Sequence, residues 1–179
     1  MKNVFHAARF GAAASLTLFA LTACSATQPS NAAPAAEEVT ISDAWVKAAG
    51  PGEMTAVFGF FENSGEHDAT VSSVRSVVSE QIELHETVPN ESGQMVMREV
   101  EGGFVLPAEQ GFALEPGGNH IMLMDLPQAV RAGEEASFTV AFADGSELDF
   151  TALVKDYSGA KESYEAGHGE SAHDAHGSK

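Results

Sequence analysis

Hydrophobic and polar residues alternate in short segments through the middle of the chain, and turn-forming residues separate one segment from the next. An alternation with a period of two is typical of β-strands with one buried face. No stretch of this region combines a sustained helical period with capping residues. We therefore predict an all-β domain, with strands at residues 38–46, 55–63, 81–88, 94–100, 111–118 and 120–126, a hairpin over 136–154 and a short helical turn within 126–136.

Two of these strands carry imidazole and thioether side chains on the face that their aliphatic residues do not occupy. Successive side chains in a strand point to opposite faces. In the third predicted strand, His85 therefore shares its face with Glu83 and lies opposite Leu84. In the segment HIMLM, His120 and Met122 lie opposite the isoleucine and the leucine. Soft metal-binding side chains thus stand where an exposed strand face normally carries threonine, lysine or glutamate.

A methionine on a strand, taken singly, is most often a flexible residue that fills a gap in the core. Four of the six methionines, however, fall close to the two strand histidines; they are Met95, Met97, Met122 and Met124. Thioether sulfur is a poor ligand for magnesium, calcium or manganese and, without thiolate, a weak one for zinc, but it suits Cu(I). The clustered residue types therefore predict a Cu(I) site.

The N-terminal segment has the features of a secretory signal. Residues 1–23 carry two basic residues and no acidic one in their first ten positions and end in an apolar run of thirteen, whereas a membrane-spanning helix needs about twenty. The run leads into LTAC, which resembles a bacterial lipobox, and Cys24 is the only cysteine of the chain. We predict that Cys24 receives a diacylglyceryl group and becomes the new N-terminus after cleavage, the alternative being a plain signal cut elsewhere. Residues 24–37 would form a flexible tether, and the protein would be exported and held at the outer face of a bacterial membrane through its lipid anchor only.

Composition and charge narrow the class of function. Residues 158–179 contain no aliphatic side chain larger than alanine and are predicted to be disordered, which leaves 38–157 as one folded domain. Beyond the signal segment, seven basic residues face 26 acidic ones, a formal net charge of −19. That sign excludes nucleic acid as a partner and favours the attraction of cations. The domain has no cysteine and therefore lacks the thiolate that a blue-copper electron-transfer site requires.

The domain resembles a known family, the bacterial extracytoplasmic copper chaperones of the PCuAC type. The segments that carry the resemblance span essentially the whole domain: ISDAWVKAAGPGEMTAVFGFFENSGEHD, IELHETV, GQMVMREVEGGFVLPAEQGFALEPGG and NHIMLMDL. The metal motif of the family is His, often followed by Met, then about ten residues to a Met and about twenty-one more to His-x-Met. This chain departs from it twice, with Glu86 in place of the second residue and a second interval of twenty-two residues.

The resemblance implies a cupredoxin-like Greek-key β-sandwich or barrel that acts as a Cu(I) chaperone. The implied ligands are His85, Met97, His120 and Met122, with Met95 and Met124 as auxiliary candidates. The implied acceptor of the copper is cytochrome c oxidase subunit II or a thioredoxin-like assembly factor. The C-terminal tail adds three histidines among acidic residues, a combination that suits Cu(II) as a second metal; they are His168, His173 and His176.

Other interpretations of the same residues stay open at this point. Copper storage or detoxification would use the same site with a different destination. A metal-independent β-sandwich binding module would tolerate replacement of all four ligands, since a fold alone does not define a function. A soluble acidic terminus with an incidental run of histidines would explain the tail. An enzyme is not predicted, because no serine or cysteine nucleophile stands in a recognisable motif.

Overall fold

The computed structural model describes residues 33–159 and 163–164, which form a curved β-sheet preceded by one turn of helix. The helix α1 spans Ala35–Glu38. The strands are β1 (Val39–Lys47), β2 (Thr55–Asn63), β3 (Ala69–Ser76), β4 (Gln81–Pro89), β5 (Met95–Glu99), β6 (Phe104–Leu106), β7 (Gln110–Leu114), β8 (His120–Met124), β9 (Glu135–Phe142), β10 (Glu147–Lys155) and β11 (Ser163–Tyr164). The all-β prediction is confirmed.

The strands form one continuous path in the order β11-β5-β4-β8-β2-β1-β10-β9-β3-β6. Strand β2 is long enough to pair with β8 through its first half and with β7 through its second half. The sheet is mixed, because β1 pairs in parallel with β10 and β5 in parallel with β11. Buried side chains from both halves of this path form one large hydrophobic cluster, so the sheet folds over on itself around this main core.

A bulge in β1 determines which residues face away from that core. The register of β1 against β2 moves from Ser42–Phe60 to Trp45–Phe58, so an extra stretch of β1 lies opposite Gly59. A Cβ atom at Gly59 would lie 3.2 Å from the carbonyl oxygen of Ser42, which explains glycine at this close approach. Beyond the bulge, Trp45 shares the outer face of the sheet with Phe58.

The structure differs from the sequence prediction in three regions within the domain. Strands β3 and β6 were not predicted, because a bulge beyond Val71 interrupts the alternation of β3 and β6 has only three residues. The segment 126–136 contains turns and an isolated bridge from Val130 to Ala49 in place of the predicted helical turn. Its Gly133 has a φ of 89°, a left-handed conformation that does not continue a helix.

Both ends of the domain extend beyond the predicted boundaries. Helix α1 lies largely within the segment predicted to be a flexible tether, and its first amides are bonded to the β9–β10 turn. The amide of Ala35 donates to Asp144 Oδ2 at 2.7 Å, and that of Ala36 donates to Ser146 Oγ at 3.1 Å. At the other end, β11 lies within the segment predicted to be disordered and pairs with β5.

We expect Asp144→Ala to lower the free energy of unfolding by about 1 kcal/mol at pH 7, the usual scale for removing a side chain that caps helix amides. The Ala35 amide, followed by the Ser146 hydroxyl, lowers the pKa of Asp144 from its ordinary value of 3.8. A lowered pKa stabilises the fold above the ordinary value, and this stabilisation is lost as the pH falls through the lowered one. The variant and the wild type should therefore converge below pH 3.8 in urea unfolding. Glu101→Gln, at an exposed turn, is the control, and a pH-independent difference would contradict the assignment.

Candidate metal centre

The register of three adjacent strands places the four predicted ligands on one face of the sheet. His85 on β4 pairs directly with His120 on β8, and the centres of the two imidazole rings are 5.5 Å apart at an interplanar angle of 67°. Met97 on β5 pairs with Thr87, two residues beyond His85. Met122 follows His120 by two residues on β8. Because directly paired residues and residues two apart share a face, all four side chains lie on the same side.

This side of the sheet faces away from the main core, as the alternation predicted. Ile121 and Leu123, which separate the ligand candidates on β8, belong to the main hydrophobic cluster. Met122 instead packs in a second, smaller cluster with Ala56 and Phe58. A methionine that fills a gap in the core would lie in the main cluster. Met122 lies outside it.

Three of the four candidate ligands line a pocket that opens to solvent, whereas His85 does not line it. His85 is completely buried, and His120 and Met122 are 2% and 4% exposed, while Met97 is partly buried. His120, Met97 and Met122 line an open pocket of about 200 Å³, whose wall also includes Phe58. A metal ion here would be shielded from bulk water, yet another protein could approach it through the open side.

Hydrogen bonds define which nitrogen of each imidazole carries the lone pair. His85 Nε2 lies 2.8 Å from Glu83 Oε2, and His120 Nδ1 lies 3.1 Å from the carbonyl oxygen of Gly118. Both oxygens are acceptors, so each of these nitrogens carries the proton in the neutral ring. The lone pairs are then on Nδ1 of His85 and Nε2 of His120. Hydrogen bonds of this kind orient metal-binding histidines and raise their basicity.

Glu83 is itself held in position, and its side chain is only 15% exposed. Gln81 Nε2 donates to Glu83 Oε1 at 2.8 Å, which leaves Oε2 directed at His85. Both carboxylate oxygens of Glu83 therefore form hydrogen bonds on the face that carries the candidate ligands. A carboxylate at this distance can offset part of the charge of a bound cation.

One side-chain contact ties β4 to β8, and a tight turn holds the backbone just before His120. Ser79 is buried, and its hydroxyl oxygen lies 2.7 Å from the carbonyl oxygen of Met124, joining the start of β4 to the end of β8. At the other end of β8, the amide of Gly118 donates to the carbonyl oxygen of Glu115 at 3.0 Å. This tight turn presents the Gly118 carbonyl to His120.

The remaining predicted site residues lie elsewhere. Met95 is 44% exposed at the start of β5, Met124 is partly buried in the second cluster, and neither lines the pocket. Glu86, the departure from the family motif, points to the opposite face, where Arg98 approaches it at 2.7 Å. The predicted lipidation site Cys24 and the tail histidines His168, His173 and His176 lie outside the described residues.

Sequence reasoning missed three residues that surround the candidate site. Met54, just before β2, is 47% exposed and lines the same pocket. Lys47 lines it as well, and its ammonium group donates to the carbonyl oxygen of Gly159 at 2.8 Å. Trp45 packs on Phe58 with ring centres 4.6 Å apart, and Phe58 lies 6.2 Å from the His120 ring. Of these residues, only Met54 had a feature in the sequence that could have drawn attention to it, namely a methionine directly after the turn-forming segment AGPGE.

The donor set of this face is unusual in depending on sulfur. In residues 33–159 and 163–164, no three histidine, cysteine, aspartate or glutamate side chains converge closely enough to bind a metal ion. The candidate ligands on this face include two methionine thioethers, which select soft ions. The same part of the chain contains no helix of sufficient length and apolar character to cross a bilayer.

Solved structures with the same fold include copper-related domains. The copper-bound PCuAC domain from PmoF2 superposes with a TM-score of 0.56 at 21% identity, covering 67% of this chain and 94% of that domain. The solution structure of CuI-DR1885 from Deinococcus radiodurans gives a TM-score of 0.52 at 21% identity, covering 74% of this chain and 85% of that one. At these identities the likeness concerns the fold, and it confirms the predicted cupredoxin-like architecture of PCuAC domains.

Sequence comparison identifies closer relatives. "Putative lipoprotein Lxx21020" of Leifsonia xyli subsp. xyli is 43% identical over 150 residues, which cover 82% of this chain and 89% of that protein. The profile of the family described as "Putative lipoprotein LpqE-like" matches residues 39–154, from the first strand to the last residues of β10. With a domain of PCuAC fold, this chain belongs to the LpqE-like lipoprotein family.

Proposed function

We propose that this chain is an exported, lipid-anchored protein that binds Cu(I) and delivers it to an acceptor protein. The observation that carries the proposal is the convergence of two imidazoles and two thioethers on one sheet face, from His85, Met97, His120 and Met122. These donors are neutral and soft, which favours Cu(I) over Cu(II), an ion that prefers nitrogen and oxygen donors. The copper-bound PmoF2 domain and CuI-DR1885, which share this fold, support the same assignment.

The surroundings of the four donors fit a singly charged ion. Glu83 contributes the nearby negative charge and orients His85 at the same time. The chain beyond the signal segment, with a formal net charge of −19, attracts cations to the protein over a longer range. The electrostatic environment therefore favours uptake of a cation without requiring an anionic ligand in the site.

Delivery follows from the accessibility of the same pocket. Because Met97, His120 and Met122 line an open pocket, ligands of an acceptor can replace them one at a time, and the ion need not enter solution. The acceptor proposed from the family resemblance is cytochrome c oxidase subunit II or a thioredoxin-like assembly factor. Lipidation of Cys24 is supported by the lipobox and by the lipoprotein names of the family and of the Leifsonia relative. Cu(II) binding by the tail histidines is a separate part of the proposal.

An anaerobic competition titration with a Cu(I) chelator such as bicinchoninate tests the binding. The chain from residue 24 onward would be used with Cys24→Ser, so that its thiol cannot bind copper. One tight equivalent of Cu(I) is the expected result. Absence of binding above the chelator background would overturn the proposal and leave a metal-independent binding module.

The carboxylate of Glu83 gives a further prediction for the same titration. We expect Glu83→Gln to weaken Cu(I) binding about tenfold, at the lower end of the range for residues that orient metal ligands. The side-chain shape is kept, but the negative charge beside His85 is removed. Glu86→Gln is the matched control, because Glu86 is on the same strand but pairs with Arg98 on the other face. Equal effects of the two variants would show a general charge effect and no role for the contact with His85.

A further inference from the structure

We propose that Met54 is a mobile copper ligand at the mouth of the pocket, a thioether that holds Cu(I) during entry and release. The inference rests on the proposed function, since it concerns the same ion. Met54 lines the pocket together with Met97, His120 and Met122. It is not part of the family metal motif, which runs from His85 to Met122 in this chain. With 47% of its surface exposed, it is far more accessible than His120 or Met122.

The backbone on both sides of Met54 is anchored. On one side, the carbonyl oxygen of Glu53 accepts from the amide of Leu126 at 3.0 Å, and Glu53 Oε2 accepts from the amide of Gly50 at 2.7 Å. On the other side, Thr55 is paired with Leu123 in the β2–β8 ladder. The position of the Met54 backbone at the pocket mouth is therefore fixed by its neighbours.

The side chain of Met54, in contrast, has the freedom that ligand exchange requires. Methionine has three rotatable side-chain bonds, and its sulfur is polarizable and a good donor for Cu(I). A thioether on a fixed backbone at a pocket mouth can point inward to the buried donors or outward to an acceptor. An exposed methionine at this position also leaves apolar surface in contact with water, an arrangement that folding alone does not favour.

The exchange step is a replacement of ligands without a redox change. A bond from Met54 Sδ to Cu(I) forms as one bond from the ion to a buried donor breaks, so the coordination number is maintained and copper stays monovalent. The acceptor then replaces the remaining buried donors and finally Met54. Such a step lowers the barrier to transfer more than it changes the stability of the bound state.

The experiment compares Met54→Leu with wild type in the chain from residue 24 onward, again with Cys24→Ser. Transfer of Cu(I) from the loaded protein to excess bicinchoninate is followed by stopped flow, and the equilibrium Kd is measured separately. We expect the transfer rate constant to fall about tenfold, while Kd changes less than about threefold. Met95→Leu is the control, because Met95 is similarly exposed at 44% but does not line the pocket.

The outcomes separate this inference from the proposed function. A wild-type protein that binds no Cu(I) overturns both. Tight binding by all three proteins with equal transfer rates overturns the role of Met54 alone. A tenfold or greater loss of affinity in Met54→Leu would also overturn it, because Met54 would then be a permanent ligand of the resting site.

Discussion

The double variant His120→Gln, Met122→Leu should lose Cu(I) binding, with an affinity at least about a thousandfold below that of the wild type, equivalent to about 4 kcal/mol. It removes two of the four proposed donors and replaces them with an amide and a branched aliphatic side chain, neither of which is a good ligand for Cu(I). Both substitutions are close in volume to the original side chains, which limits the packing defect at these buried positions. The chelator competition used for the wild type measures the loss directly.

Met124→Leu is the matched control for this variant. Met124 lies on the same strand and belongs to the same small cluster, but it does not line the pocket. We expect its Cu(I) affinity to stay within about threefold of wild type. Retention of tight binding by the double variant, with an unchanged circular dichroism spectrum, would mean that HIMLM is a packing segment and would exclude the proposed site.

The period of two was sufficient to predict the sheet face on which the candidate site lies. His85, His120 and Met122 were placed opposite the aliphatic residues from alternation alone, because a strand in an antiparallel ladder cannot change that relation without a bulge. What alternation cannot supply is the pairing of strands. That His85 meets His120 directly depends on the register of β4 against β8, which the contact between Ser79 and Met124 helps to fix.

Features that depend on distant contacts were not predictable from local pattern. Helix α1 is too short to show a period and is held by Asp144, which follows it by more than one hundred residues. The bulge that turns Trp45 to the outer face arises from the close approach to Gly59 on another strand. Met54 reaches the site because the turn before β2 is bonded to Leu126, a contact that the sequence does not reveal.

Truncation of Phe58 should have a large effect on stability, because this ring packs beside His120 and Met122. Phe58 is 1% exposed, packs on Trp45 and neighbours His120, and forms the second cluster with Ala56 and Met122. We expect Phe58→Ala to lower the free energy of unfolding by about 3–5 kcal/mol, the range for a buried phenylalanine. Urea unfolding followed by the fluorescence of Trp45, the only tryptophan, measures this loss.

The same substitution also links packing to metal binding, and a neighbouring phenylalanine separates the two effects. Without the Phe58 ring, His120 and Met122 can move, so Cu(I) affinity should fall about tenfold even though no donor is removed. Phe60 is two residues further on the same strand and face but is 42% exposed, where it covers Gly111. Phe60→Ala should cost less than about 1 kcal/mol and leave copper binding unchanged. Equal losses of stability in the two variants would show that the second cluster is not a packed support, and the site would then depend on the strand ladder alone.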